Sequence, residues 1–318
     1  MARRGGRRRR RSSGLNLLIA INKPYGEVTR AVDNRVGRAI GDGGVGHIGT
    51  LDPAVTGVLV LAFGQATKLI NHIEEGRTKT YVGTISFGTQ TTTDDAQGEA
   101  LRTAEVPESL YDEAFAQSVI EGLRGPGKQR PPRFSAIKVN GVRAYELARE
   151  GVEFELPERD MHIYDARLLG IERDDGLGWC CEFVVSPGTY IRSIARDLGI
   201  AVGSAAHLSS LCRTGAGVVT LSDCVTLEQV EEAGREGVSA LAIDPTYVLG
   251  LPTYVLSERE LERARNGVPF VPANDVSAEE GQRLAIVRQG CLYGIWRMDG
   301  GYLRSVTNCP AGIEGVRA

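Results

Sequence analysis

The run Gly46-His47-Ile48-Gly49-Thr50-Leu51-Asp52-Pro53-Ala54-Val55-Thr56-Gly57 constrains this chain more than any other stretch. Pro53 fixes its own φ and biases Asp52 toward extended backbone. Gly46, Gly49 and Gly57 permit conformations and close approaches that larger residues would block. One carboxylate is thereby mounted on a stiff turn, as a catalytic acid requires. An isolated Asp-Pro more often just closes a turn, its carboxylate accepting from a backbone N–H, and that reading stands beside the catalytic one until other segments are weighed.

A chain of 318 residues has room for a large core, one catalytic domain and a smaller appendage, so two domains are expected. No stretch approaches the roughly 18 uninterrupted apolar residues of a membrane span, and the first residues carry no apolar signal core. A cytoplasmic protein without membrane contact is expected. The six cysteines, Cys180, Cys181, Cys212, Cys224, Cys291 and Cys309, form no Cys-x-x-Cys pair, and the four histidines do not cluster, so reduced thiols and no metal are expected. Cys180 and Cys181, adjacent on a strand, would face opposite ways, one buried and one exposed.

Charge argues mildly against a polyanion partner. The formal net charge is −3 although seven of the first eleven residues are arginine, and without them the remainder stands at −10. Only a local basic surface would reconcile such a body with nucleic acid. Residues 1–14 have almost nothing apolar to bury and are expected to form a disordered, arginine-rich tail, either a salt-sensitive attractor of phosphates or a plain solvated extension.

Leu17 to Ile21 reads as a buried strand feeding the turn at Asn22-Lys23-Pro24, which leaves Lys23 at a strand end, facing a site or solvent. Val58 to Phe63 is a second apolar run. Lys79 to Phe87 alternates, with Tyr81, Gly83, Ile85 and Phe87 on one side. Phe115, Val119, Ile120 and Leu123 recur at helical spacing and stop at Gly125-Pro126-Gly127, which predicts a helix and then a mobile loop. Trp179, Cys181, Phe183 and Val185 alternate as a strand. The helix that follows has Ile191, Ile194, Ala195 and Leu198 as its apolar face, Thr189 as N-cap and Gly199 as terminator. Arg192 lies in its first turn, where the helix dipole disfavours a cation unless an anion faces it. Capping boxes begin at Thr226 and Ser257, and short strands are expected over 284–288, 291–297 and 301–306. This irregular order predicts an α+β fold.

The 46–57 segment resembles the signature of the TruB family of pseudouridine synthases, roughly Gly-His-Thr/Ser-Gly-Thr-Leu-Asp-Pro with Thr-Gly three residues on. Four more segments appear in the family's order: Asn22-Lys23-Pro24 followed by Gly26, Lys79-Thr80-Tyr81, Pro131-Pro132-Arg133-Phe134-Ser135-Ala136-Ile137-Lys138, and Gly188-Thr189-Tyr190-Ile191-Arg192-Ser193. The resemblance implies a mixed, largely antiparallel central sheet flanked by helices over residues 15–248, with a thumb-like insertion near 124–152. Residues 249–318 would form a small PUA-like β-barrel.

The resemblance implies an isomerase that converts uridine to pseudouridine without a cofactor, most closely at uridine 55 in the T-loop of tRNA. Asp52 would be the catalytic carboxylate, Arg192 its paired cation, Tyr81 the platform stacked on the flipped base and Leu211 part of the base pocket. His47 would contact the everted loop, Lys79 would reach phosphate or support the pocket, and Lys23, Lys138 and Arg213 would be phosphate contacts. Read alone, each has a plainer role: Tyr81 and Leu211 as core, His47 as a hydrogen-bonded turn residue, the basic residues as solvated surface.

The chain departs from the family pattern at Ile48, where Thr or Ser is usual, at Phe134, where tyrosine is common, and at Cys212, in place of the first arginine of Leu-Arg-Arg. These touch affinity more than chemistry. The segment Pro131 to Arg149, absent from guide-RNA-dependent relatives, favours a protein-only enzyme acting as a monomer on the T-arm, without guide RNA. The rival readings are a tRNA-folding chaperone in which chemistry is secondary, and a nucleoside hydrolase that releases free uracil.

Overall fold

A computed structural model describes residues 14–75, 77–273 and 278–317. Apart from Gly14, the tail expected over 1–14 lies outside the described residues. In chain order the elements are β1 (Leu18–Lys23), α1 (Thr29–Ala39), β2 (Val45–Ile48), β3 (Val55–Phe63), α2 (Ile70–Glu74), β4 (Lys79–Phe87), β5 (Thr89–Thr91), β6 (Ala100–Thr103), α3 (Glu113–Glu121), β7 (Gly125–Gln129), β8 (Lys138–Val139), β9 (Val142–Arg143) and α4 (Ala144–Arg149). They continue with β10 (Arg159–Glu172), β11 (Gly178–Val185), α5 (Ile191–Ala201), β12 (Ala206–Ala216), β13 (Val219–Thr220), α6 (Leu227–Gly237), α7 (Pro245–Leu249), β14 (Thr253–Val255), α8 (Glu258–Arg265), β15 (Arg283–Arg288), β16 (Cys291–Asp299) and β17 (Tyr302–Glu314). The fold is α+β, and no helix among the described residues is long and apolar enough to cross a membrane.

The chain packs as two compact units. The first holds the chain up to Pro53, Gly57–Glu75 and everything described from Gly217 onward; the second holds Ala54–Thr56 and the chain from Arg77 to Ala216. In the first unit β1 pairs antiparallel with β3, from Leu18 opposite Ala62 to Lys23 opposite Gly57, and β2 pairs with the end of β3. Their apolar runs are buried almost throughout, as expected of strands covered on both faces. Helix α6 starts at the Thr226 capping box, with Thr226 and Gln229 satisfying each other's backbone N–H groups.

The C-terminal strands form an open sheet in the order β14-β15-β16-β17, with β14 parallel to β15 and the other pairs antiparallel. The expected barrel does not close. β14 has three residues, follows Pro252 and runs straight into the Ser257 capping box, so it is too short to reach across to β17. α8 and the strip at Phe270 take that place, Phe270 and Leu303 exchanging backbone hydrogen bonds of 3.2 and 2.8 Å. Trp296, Phe270, Leu284 and Leu303 fill the core beneath.

The second unit is an antiparallel sheet in the order β12-β4-β11-β10-β7. β4 alternates as its sequence indicates, with Tyr81, Gly83, Ile85 and Phe87 buried. Cys181 is buried and Cys180 partly exposed, on opposite faces of β11. Three expectations give way. Gly125-Pro126-Gly127 is not a loop but the start of β7, paired with His162 and its neighbours on β10. Pro126 fits there because β7 is an edge strand. Phe115 is exposed, and α3 buries Ala116 beside the expected Ile120. Helix α5 begins after Tyr190, not Thr189, and runs on through Gly199 to Ala201. Gly199 is needed for close packing, since a Cβ there would lie 2.5 Å from the backbone nitrogen of Ala206.

Candidate active site

The loop that carries Asp52 is fastened on both sides of that residue. On one side the Thr29 hydroxyl donates to the Leu51 carbonyl at 2.8 Å and accepts from the Leu51 N–H at 3.0 Å. On the other, Gly26 N–H donates to the Pro53 carbonyl at 2.8 Å. The Lys23 ammonium donates to the carbonyls of Pro24, Glu27 and Pro53 at 2.9, 2.7 and 3.3 Å. Lys23 is fully buried, which corrects its reading as an exposed phosphate contact. The cause is strand alternation, which puts Lys23 on the face of β1 shared with Ile19 and Ile21, where these carbonyls help make a buried ammonium tolerable. Gly49 bends the loop at φ +68°. Asp52 itself is half-buried.

His47, on β2, is held from behind. Its Nδ1 lies 2.9 Å from Oδ2 of Asp33, a buried residue of α1, and its Nε2 lies 3.3 Å from the Thr50 hydroxyl. Nothing in the motif spacing pointed to Asp33.

In the second unit Tyr81 is buried in β4, opposite Phe183 of β11 and Arg213 of β12. Leu211, half-buried, stands opposite Gly83, where a Cβ would come within 2.8 Å of the Leu211 Cδ1. Thr56 donates its hydroxyl to the Leu211 carbonyl at 3.5 Å. Lys79 is half-buried at the start of β4. Arg213 is fully buried, which removes it from the phosphate contacts, whereas Lys138 is exposed.

Arg192 is buried in the first turn of α5. Its guanidinium donates to the carbonyls of Thr93 and Phe134 at 2.8 and 3.0 Å, and its Nε lies 3.6 Å from Oδ2 of Asp95. Asp95 is braced in turn by the Thr93 hydroxyl at 2.6 Å and the Gln97 N–H at 3.0 Å. One turn on, Arg196 pairs with Asp94 at 2.9 Å and donates to the Arg130 carbonyl at 2.8 Å. Burial pushes the Asp94 carboxyl up, against the pull of Arg196. The α5 start is itself tied to β7, Gln129 accepting from the Tyr190 N–H at 2.7 Å. Sequence reasoning missed this aspartate pair; Thr91-Thr92-Thr93-Asp94-Asp95 has the composition of a turn, and only the fold brings it beneath α5.

Lys23, His47 and Asp52 thus belong to the first unit, and Lys79, Tyr81, Arg192 and Leu211 to the second. Among the described residues no group of His, Cys, Asp and Glu could hold a metal ion.

Comparison with known proteins identifies the family. The family model for the N-terminal domain of TruB family pseudouridylate synthases matches residues 38–191, and that for the C-terminal domain of tRNA pseudouridylate synthase B matches residues 192–242. A tRNA pseudouridine synthase B of Geobacillus thermodenitrificans is 40% identical over 256 residues, covering 79% of this chain and 84% of the relative. That of Mycobacteroides abscessus is 40% identical over 258 residues, covering 80% and 85%. Among solved structures, an H/ACA ribonucleoprotein bound to a substrate RNA containing 2′-deoxyuridine superposes with a TM-score of 0.65 at 22% identity, covering 93% of this chain and 85% of that one, a likeness of fold. With the two family models matching residues 38–242 in succession and relatives this similar over most of its length, the chain belongs to the TruB family of pseudouridine synthases.

Proposed function

We propose that this enzyme converts uridine 55 in the T-loop of tRNA to pseudouridine, with Asp52 as its catalytic carboxylate. The reaction breaks the C1′–N1 glycosidic bond, turns the uracil and joins C1′ to C5. A carboxylate beside C1′ suffices, because it stabilises the positive charge that develops on the sugar, as glycosidase carboxylates do. The fastening of Leu51 and Pro53 carries this reading: it holds the backbone on either side of Asp52, a residue that is itself only half-buried.

In this reading Arg192 supplies the cation of the site, its guanidinium held in place by the Thr93 and Phe134 carbonyls and by Asp95. Tyr81 receives the extruded uracil, offsetting part of the few kcal/mol that base flipping costs; stacking on an aromatic ring contributes about 1–3 kcal/mol. Leu211 lines the pocket and Lys79 supports it. The segment 124–152 covers the RNA as a thumb, and residues 249–318 serve as an accessory module. The enzyme acts on tRNA in the cytoplasm, as a monomer and without a guide RNA.

Asp52→Asn should lower pseudouridine formation by about 10⁴-fold or more while leaving tRNA affinity nearly unchanged, by analogy with removal of a catalytic aspartate in other enzymes. Carbodiimide mapping of tRNA incubated with each protein checks this. Product formed at the wild-type rate removes Asp52 from catalysis, and modification at another uridine overturns the T-loop assignment. Free uracil in the supernatant would indicate a hydrolase instead.

A further inference from the structure

We infer that Asp33 is a positioning residue that fixes the ring of His47 with its proton on Nδ1, leaving Nε2 outward as an acceptor for an O–H or N–H donor of the RNA loop. The inference rests on the proposed RNA substrate for its last clause only. Asp33 sits on the buried face of α1 with Thr29, Val32, Val36 and Gly37, where an apolar residue would ordinarily stand. It is 2% exposed, and its Oδ2 takes the His47 Nδ1 at 2.9 Å. Arg30, largely exposed, approaches the same oxygen only at 3.5 Å.

The other oxygen, Oδ1, is buried with no hydrogen-bond partner among the described residues. A carboxylate kept for stability would satisfy both oxygens, and an unmet buried acceptor carries a cost, so His47 is the one strong contact that accounts for it. A carboxylate only accepts, hence Nδ1 carries the hydrogen, and in the neutral ring Nε2 keeps the lone pair. Thr50 meets that lone pair at 3.3 Å, a long bond that an incoming ribose hydroxyl or base N–H can replace. The His47 side chain as a whole retains 28% exposure.

Nitrogen-15 spectra of the free protein labelled at its four histidines test the tautomer, with His47→Gln assigning the signal. The neutral His47 ring should be protonated at Nδ1 in the wild type and in Asp33→Asn, whose amide oxygen still accepts, and should lose that preference in Asp33→Ala. KM for a T-arm stem-loop should rise about tenfold in Asp33→Ala, the loss of roughly one hydrogen-bonded contact, with kcat within about twofold and Asp33→Asn near wild type. A stem-loop with 2′-deoxyribose in the loop separates the donors. If the donor is a hydroxyl, the Asp33→Ala effect disappears on this RNA; if it is a base N–H, the effect persists. A neutral wild-type ring protonated at Nε2 overturns the inference whether or not any variant folds, and so does an equal rise of KM in Asp33→Asn and Asp33→Ala. The spectra need no RNA, so this failure is distinct from failure of the substrate assignment.

Discussion

Lys23 shows how a motif residue can be right in place and wrong in role. Its ammonium binds three carbonyls, one of them that of Pro53, so it braces the loop that carries Asp52 from inside the fold. Lys23→Met should cost about 2–3 kcal/mol in denaturant unfolding, since hydrogen bonds to a buried charge are each worth about 1.5–3 kcal/mol and the side chain's bulk is kept. It should also lower kcat by loosening Asp52. The slope of log KM against log salt should stay unchanged, because no phosphate contact is lost. A shallower slope would restore the phosphate role. Sequence could name Lys23, His47 and Asp52 from their motif. It could not show that Lys23 points inward or that Asp33 reaches His47, because both depend on which face of an element meets another fourteen or more residues away.

At the scale of elements, strands and capping boxes were legible because their signals are local: the alternation of β4, and the Thr226 and Ser257 boxes that open α6 and α8. The ends of α5 and the nature of β7 were not, because Gly199 and Gly125 answer to neighbours across the sheet. Gly199→Ala decides between the two influences. Helix propensity alone would gain about 1 kcal/mol, but a Cβ at 2.5 Å from the Ala206 backbone must push helix and strand apart at a larger cost, so a net loss of about 1–2 kcal/mol and a lower melting temperature should result.

The Ser257 box gives a pH-dependent counterpart. Burial raises the Glu260 carboxyl, but hydrogen bonds from Ser257, Tyr254 and the Ala273 N–H outweigh it and hold the acid below its ordinary 4.5. A depressed acid stabilises the fold above its unfolded value, and that stability disappears as pH falls through the folded value. Glu260→Gln should therefore unfold about 1–3 kcal/mol more easily at pH 7. The gap should narrow as pH drops below 4.5, which paired denaturation curves will show.

Across the whole molecule, the C-terminal strands are joined to the N-terminal part of the chain within one compact unit. Thr307 meets His72 at 2.7 Å, Lys68 donates to the Asn308 carbonyl at 2.8 Å, and the Glu314 N–H donates to the Asn16 carbonyl at 2.8 Å. A chain shortened to residues 1–248 should lose at least about 3 kcal/mol, taking about 1 kcal/mol for each of these bonds before any apolar surface is counted. Equal unfolding midpoints for the short and full chains would make the last seventy residues an independent appendage. The bond between Asn16 and Glu314 also makes the path of the backbone nearly a ring. A few residues linking these two neighbours, with the chain reopened at the exposed turn Asp174-Asp175-Gly176, would reorder the elements in sequence without moving any of them in space.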